Sequence, residues 1–226
     1  TVTFYDLDIQ PLQNAWVVGT APGTVATTDG GQTWAFGANP ANTYLLGVDF
    51  VNPSVGLAVG YSGTILRTTD GGRSWMQRIS GTTADLQDVA FGSERFAIAV
   101  GNGGTALRST DGGISWLVLQ TGTTSTLNEV KAVDSLRIWA VGSAGTIVHS
   151  SDGGLTWAQQ VSNVSAVLYG VDFVTPQLGW AVGSSSSIIR TTTGGTTWSK
   201  VAPLPSTAQT LRGVYFKDSA QGWCID

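Results

Sequence analysis

The apolar and polar positions of the chain return again and again to one order of short runs. Between Leu45 and Ile79 four of them follow one another: LLGVDFV (Leu45 to Val51), GLAVGY (Gly56 to Tyr61), TILRTT (Thr64 to Thr69) and SWMQRI (Ser74 to Ile79). Each is of strand length and rich in β-branched or aromatic residues, and Asn-Pro, Ser-Gly and Asp-Gly-Gly turn signals separate them. No segment sustains an apolar period of 3.6, so almost no helix is expected. The same unit runs from Phe4 to Trp34, from Leu86 to Trp116, from Leu127 to Trp157 and from Leu168 to Trp198, and consecutive closing tryptophans are 41 residues apart. A period of that size signals a repeat architecture, and four antiparallel strands per repeat is the blade of a β-propeller. The pattern predicts an all-β fold in a single propeller domain, with five complete blades at about residues 4–40, 41–81, 82–122, 123–163 and 164–206 and part of a sixth at 207–226.

The sixth unit starts at Leu211-Arg212-Gly213-Val214-Tyr215-Phe216, two residues late after a linker over Pro203 to Thr210, and Gly222 to Asp226 supply only its second strand. Two strands without partners leave an open sheet edge. This reading therefore expects the chain to be part of a longer protein of six or seven blades, with self-association through the open edge as the alternative.

The most regular stretch is the third turn of each unit: TTDGGQTW, TTDGGRSW, STDGGISW, SSDGGLTW and TTTGGTTW, ending at Trp34, Trp75, Trp116, Trp157 and Trp198. Asp29, Asp70, Asp111 and Asp152 are short acceptors able to hold backbone N–H groups two or three residues ahead, and the glycines after them can take positive φ. The tryptophan is expected to open the fourth strand and wedge between blades, where burying it is worth about 4–6 kcal/mol before costs. Unit five carries Thr193 where the others have aspartate, so its turn is expected to be the weakest. The other four tryptophans, Trp16, Trp139, Trp180 and Trp223, fall on second strands. All nine are thus placed by the repeat.

Composition narrows the function. The chain has 226 residues, 42% hydrophobic and 12% charged, and a net charge of −4, which offers no basic stripe to a phosphate backbone or an anionic lipid surface. Nucleic acid is not an expected partner. No apolar run reaches the length needed to span a bilayer. The one cysteine, Cys224, rules out an internal disulfide framework and a cysteine-rich zinc site. Low lysine content and a surface rich in Ser and Thr fit an exported protein, and Asn163-Val164-Ser165 matches a glycosylation sequon.

On these residues the chain resembles known proteins. The turn pattern Ser/Thr-x-Asp-x-Gly-x-Thr/Ser-Trp is the Asp-box of bacterial neuraminidase-type repeats, found in sialidases and other β-propellers. The fuller unit, with LxGVDF, GWAVG and GTILRTTDGG in order, is similar to the photosystem II assembly and stability factor family and its exported bacterial relatives, over essentially the whole chain. That resemblance implies a seven-bladed propeller without enzymatic activity. It also implies a place in the thylakoid lumen, the periplasm or outside the cell, no cofactor, and a protein partner such as a membrane-protein precursor. The competing readings are a sialidase-like or glycan-binding propeller and a structural subunit of an extracellular assembly.

Candidate chemistry is sparse. Arg67, Arg108, His149 and Arg190 share one position on the third strand, with Ala26 in the first unit. They form either a basic patch for an acidic partner segment or a set of side chains paired within and between blades. A sialidase would need a converging arginine cluster, a Tyr-Glu pair and an acid Asp, but the chain has only two glutamates, Glu94 and Glu129. One histidine cannot build a multi-histidine metal site, and the Asp-Gly-Gly turns lack the alternating oxygen ligands of a calcium loop. Asp8, Asp49, Ala90, Lys131, Asp172 and Tyr215 vary at one position of the first strand and are expected to line a central channel as solvated residues. The units also differ at the linkers Asn39 to Tyr44, Ser162 to Val167 and Pro203 to Thr210.

Overall fold

A computed structural model describes residues 2–10, 13–20, 23–201 and 209–226. The described chain is antiparallel β-sheet, each sheet formed from consecutive strands. Sheet 1 contains β1 (Phe4–Gln10), β2 (Asn14–Gly19), β3 (Gly23–Thr27) and β4 (Ala35–Ala38). Sheet 2 contains β5 (Leu45–Phe50), β6 (Gly56–Gly60), β7 (Thr64–Thr68) and β8 (Met76–Arg78), and sheet 3 contains β9 (Leu86–Phe91), β10 (Ala97–Gly101), β11 (Thr105–Ser109) and β12 (Leu117–Gln120). Sheet 4 contains β13 (Leu127–Ala132), β14 (Ile138–Gly142), β15 (Ile147–Ser150) and β16 (Ala158–Gln160). Sheet 5 contains β17 (Leu168–Phe173), β18 (Gly179–Gly183), β19 (Ser187–Thr191) and β20 (Ser199–Lys200), and a two-stranded sheet follows from β21 (Gly213–Phe216) and β22 (Gly222–Ile225). These sheets are propeller blades. The linker Pro203 to Thr210 lies mostly outside the described residues.

The strands sit where the apolar pattern puts them, to within one or two residues at their ends. The turn tryptophan does not open the fourth strand: β4, β8, β12, β16 and β20 each begin one residue after it, so the indole belongs to the turn. Tyr61 leaves the second run for a one-turn 3₁₀ segment, Tyr61–Gly63, and Asn102–Gly104 and Ser143–Gly145 repeat it in sheets 3 and 4.

Two compact units make up the chain: Thr1–Gly101 with Ala106–Val118, and Asn102–Thr105 with Leu119–Asp226. In the first, β6 is buried along its whole length, and Trp16, Leu45, Val48, Phe50, Leu66 and Trp75 form one cluster across sheets 1 and 2. A second cluster, from Leu57, Val59, Ile65, Leu86, Val89 and Leu107, joins sheets 2 and 3. In the second unit Trp139, Val141, Ile147, Leu168, Phe173, Ile189 and Trp198 join sheets 4 and 5. Alternation along each strand therefore buries both faces of the central strands, one against each neighbouring sheet of its unit.

The first strands of sheets 1 to 5 carry a bulge, at Phe4/Asp6, Leu45/Gly47, Leu127/Glu129 and Leu168/Gly170 on the first-strand side and opposite Val100/Gly101 in sheet 3. The glycine ending each second strand belongs to this junction. A Cβ on Gly60 would lie 2.0 Å from Tyr44 O, and one on Gly142 would lie 1.9 Å from Thr126 O. The last letter of GWAVG is thus dictated by a backbone passing directly over it.

Candidate functional site

In sheet 2, Asp70 Oδ1 accepts the N–H of Ser74 at 2.9 Å and the Thr68 hydroxyl at 2.8 Å, while its Oδ2 accepts the Ser74 hydroxyl at 2.6 Å. Thr68 Oγ1 in turn accepts the N–H groups of Asp70 and Gly72, at 3.2 and 3.0 Å. Asp29, Asp111 and Asp152 repeat this lattice with Thr33, Ser115 and Thr156. The carboxylate reaches four residues ahead, farther than an Asx-turn reading expects; Asp111 also takes an N–H three ahead, from Ile114 at 3.0 Å, and the N–H three ahead acts on Asp29, Asp70 and Asp152 as well. The nearer N–H groups go to the preceding hydroxyl.

Hydrogen bonds from Thr33 and Thr27 hold the Asp29 carboxyl down at about 2, and those from Thr156 and Ser150 do the same for Asp152. At Asp111 burial pushes upward, but the Ser115 and Ser109 bonds outweigh it and the value again falls to about 2. Asp70 is lowered through Ser74. Each carboxylate is spent on its own turn. In sheet 5 the Thr193 hydroxyl takes over and accepts the Thr197 N–H at 3.0 Å, without a charge.

The tryptophans divide by what covers them. Trp75 and Trp198 are buried, and each indole N–H donates backward to the preceding sheet, to Thr24 Oγ1 at 2.9 Å and to Gln160 Oε1 at 3.0 Å. Trp116 turns to its own Gly113 O at 3.2 Å, and Trp157 has a buried Nε1 without a partner. Trp34 is 45% exposed, so the wedge expected at all five positions forms fully at two. Second-strand tryptophans reach forward. Trp16 stacks on Phe50 at 3.7 Å and donates to Gly71 O of the next turn, and Trp139 stacks on Phe173 at 3.9 Å and donates to Gly194 O. Trp180 stacks on Phe216 at 3.5 Å, whereas Trp223 is 56% exposed.

The acids of the first strands serve the same contacts. Asp8 Oδ2 accepts the N–H of Phe50, Asp49 Oδ2 that of Phe91 and Asp172 Oδ2 that of Phe216, at 3.0, 2.6 and 2.7 Å. Lys131 Nζ pairs with Asp172 Oδ1 at 2.7 Å, and Asp172 is only 4% exposed. Asp172 is thus buried, not the solvated channel residue its variation suggested, while Asp8, Asp49 and Lys131 stay part-exposed but are engaged in these contacts. They bond the otherwise unpaired edge of one first strand to the next. A second row assists. Asp6 accepts from Val48 N at 2.7 Å and Glu129 from Val171 N at 3.1 Å, each beside a glycine of the receiving strand, Gly47 or Gly170. Burial raises the Asp6 carboxyl, its backbone bonds to Val48 and Leu7 lower it, and Asp8 adds to the rise. Sequence reasoning missed this row. Its signal was the exchange of acid and glycine at positions 6, 47, 88, 129 and 170.

The third-strand cations lie one to a sheet, each opposite a large second-strand residue: Leu57 faces Arg67, Ile98 faces Arg108, Trp139 faces His149 and Trp180 faces Arg190. Arg67 donates from Nε to Gly112 O at 2.7 Å, which satisfies the turn carbonyl that a tryptophan serves in sheets 1 and 4. Arg108 lies 5.6 Å from the centre of the Phe96 ring, Arg190 lies 5.5 Å from that of Trp180, and the His149 ring lies tilted against Trp139 at 4.4 Å. Burial lowers the His149 imidazole, whose Nε2 has no partner. None of the four bonds another. The charged neighbour of Arg67 on its own sheet is Arg78.

Among the described residues no group of three or more His, Cys, Asp or Glu side chains is placed to hold a metal ion, and no helix is long and apolar enough to cross a membrane. Asn163 adopts a left-handed φ of 59° and spends its amide on Trp198 O at 3.1 Å. Its place in the sequon coincides with a turn that needs such a residue.

Comparison with known proteins bears on the whole arrangement. The family described as photosynthesis system II assembly factor YCF48 matches residues 37–121 and, overlapping them, residues 79–160. No curated protein matches the sequence. Among solved structures, YCF48 from Cyanidioschyzon merolae is similar with a TM-score of 0.76 at 22% identity, over 99% of this chain and 77% of that one. YCF48 bound to D1 peptide is similar at a TM-score of 0.54 and 20% identity, over 99% and 90%. The GH74 xyloglucanase from Xanthomonas campestris gives 0.73 at 13% identity over 92% of this chain but 39% of its own, a likeness of fold alone. With the LxGVDF, GWAVG and GTILRTTDGG elements folded as successive blades, the chain belongs to the photosynthesis system II assembly factor YCF48 family.

Proposed function

We propose that this chain is a non-catalytic scaffold that binds a segment of another protein, a membrane-protein precursor on the extracytoplasmic side of a membrane. The observation that carries the reading is the family match over the repeats, joined by the report in a related structure that YCF48 binds a D1 peptide. The state of the acids supports it. Asp29, Asp70, Asp111 and Asp152 are engaged within their own turns, and Asp8, Asp49, Asp172 and Glu129 hold neighbouring strands. A glycosidase needs a facing pair of carboxyls free to act as acid and as base or nucleophile, and the carboxylates named here are committed to structure. Rigid sheets that display varied connecting segments suit recognition instead.

Surface plasmon resonance with an immobilised D1 peptide tests the binding. Saturable binding that a scrambled peptide does not reproduce is the expected result, and equal signals from the two overturn the proposal. Turnover of a sialoside or of xyloglucan by the purified chain would overturn the non-catalytic part.

A further inference from the structure

Sheet 2 carries a cation that nothing in the described chain answers. Arg78 ends β8, where register pairs it with Ile65, two residues from Arg67 on β7, so the two guanidinium-bearing side chains stand on one face as diagonal neighbours. Arg67 is half-buried and has its bond to Gly112 O. Arg78 is also half-buried, but its Nε is enclosed and without a hydrogen-bond partner, and it takes part in no ion pair among the described residues. At the equivalent place in sheet 4, Gln160 satisfies both ends of its amide, with Trp198 Nε1 and Gly194 O. With Nε enclosed and unpartnered, the open end of the Arg78 guanidinium beside a second cation, with no counter-charge among the described residues, is a ready partner for an anion.

The surroundings describe that anion. Arg78 lies on the wall of a wide-open surface cavity of about 820 Å³ that is also lined by the hydroxyl-bearing Ser62, Ser80, Thr82 and Thr83. No carboxylate is on the lining, and the nearby Asp85 accepts the N–H of Ser62 at 2.9 Å. Ile79, also on the wall, is 89% exposed, which offers an apolar contact beside the charge. The repulsion is felt at Arg67, whose affinity for its proton is lowered first by burial and then by Arg78.

We infer that this cavity on sheet 2 binds a carboxylate of a partner's polypeptide, with Arg78 as its counter-charge, the Ser62, Thr82 and Thr83 hydroxyls as further donors, and Ile79 against a neighbouring apolar side chain. This rests on the protein-binding reading above and specifies the chemistry of one contact. Charge complementarity selects the occupant: the Arg78 guanidinium on the wall, hydroxyls beside it, no acid among the lining residues, and more room than a lone ion fills.

The test follows arginine Nε–Hε resonances of the nitrogen-15-labelled chain, with Arg78 assigned by the signal missing from Arg78→Gln. Four probes are titrated: acetyl-Leu-Glu-Leu-amide, its Gln counterpart, acetyl-Leu-Gly-Leu with a free terminal carboxylate, and inorganic phosphate. The Arg78 signal is expected to shift saturably with a carboxylate peptide, at a midpoint about tenfold below that of the Gln peptide. Whichever carboxylate peptide saturates first identifies a side chain or a chain terminus as the source. No saturable shift with either, an equal midpoint for the Gln peptide, or an equal or lower midpoint for phosphate overturns the inference. Arg78→Gln removes no observed hydrogen bond and relieves Arg67, so its thermal midpoint is expected to equal or exceed that of the unaltered chain. If that variant still binds a D1 peptide undiminished, the cavity is not that peptide's contact and the wider reading stands. If neither protein binds it, the wider reading fails and the titration alone decides the cavity.

Discussion

At Asp29, Asp111 and Asp152 a carboxyl held at about 2 meets an unfolded-state value near 4, which makes the turns sensitive to acid in a definite direction. The folded value is the lower one. The stabilisation is therefore complete above about pH 4 and is lost as pH falls through about 2. Acid unfolding followed by tryptophan fluorescence should steepen across that window, and Asp111→Asn should flatten the limb; an unchanged limb would show that the turn bonds do not contribute. Sheet 5 supplies the converse. Thr193 already accepts the Thr197 N–H, so Thr193→Asp should add an ionised acceptor in a fitted place and raise stability by about 0.5–1.5 kcal/mol, measured by urea unfolding. On the first strands, Asp172 has both a salt bridge and a backbone N–H to lose. Asp172→Ala should cost about 2–4 kcal/mol, a figure kept below the fully buried case because Lys131 is partly in water.

Between neighbouring sheets the recurring device is an aromatic triple: a second-strand tryptophan, a first-strand phenylalanine and a turn tryptophan. Trp16, Phe50 and Trp75 make it in the first unit, and Trp139, Phe173 and Trp198 in the second, each with one stacked and one edge-on contact. Trp139→Ala should destabilise by about 3–5 kcal/mol, since it opens a cavity and leaves Gly194 O with one donor fewer. The same element shows how substitutions travel together. Where sheet 2 has Leu57 for the tryptophan, Arg67 supplies the donor to the next turn, so an arginine that reads as a binding group from its charge fills a structural vacancy. Calorimetric unfolding of Arg67→Met should show that loss as about 1–3 kcal/mol, from the carbonyl left unpaired.

Over the whole chain, stability should follow how each strand is covered. Blades of a repeat protein draw stability from their nearest neighbours. β6, β10, β14 and β18 are buried at every residue, whereas Tyr215, Trp223 and Ile225 of the two-stranded sheet are more than half exposed. Native-state hydrogen exchange should accordingly protect those four strands most and β21 and β22 least; protection in β22 equal to that in β14 would contradict this ordering.

The period of 41 residues, the four strands within it and the turn chemistry were all legible in the chain, because strand alternation and the demands of a tight turn are local and repeat with the sequence. Local reasoning also gave every tryptophan its place in the repeat, although the five motif tryptophans end the turn where they were expected to open the fourth strand. It could not tell that Trp75 is buried and Trp34 is 45% exposed, since the two share one motif and differ in what packs against them. Nor could it separate Asp8, Asp49 and Asp172 from solvated acids, because their partners are N–H groups 42 or 44 residues away, brought within 3.0 Å only when one first strand lies beside the next. The exchange of acid for glycine along the first strands was written in the sequence, but its meaning is a fit between two strands. Burial, partner and protonation belong to contacts across units of the repeat, and those exist only once the sheets have packed.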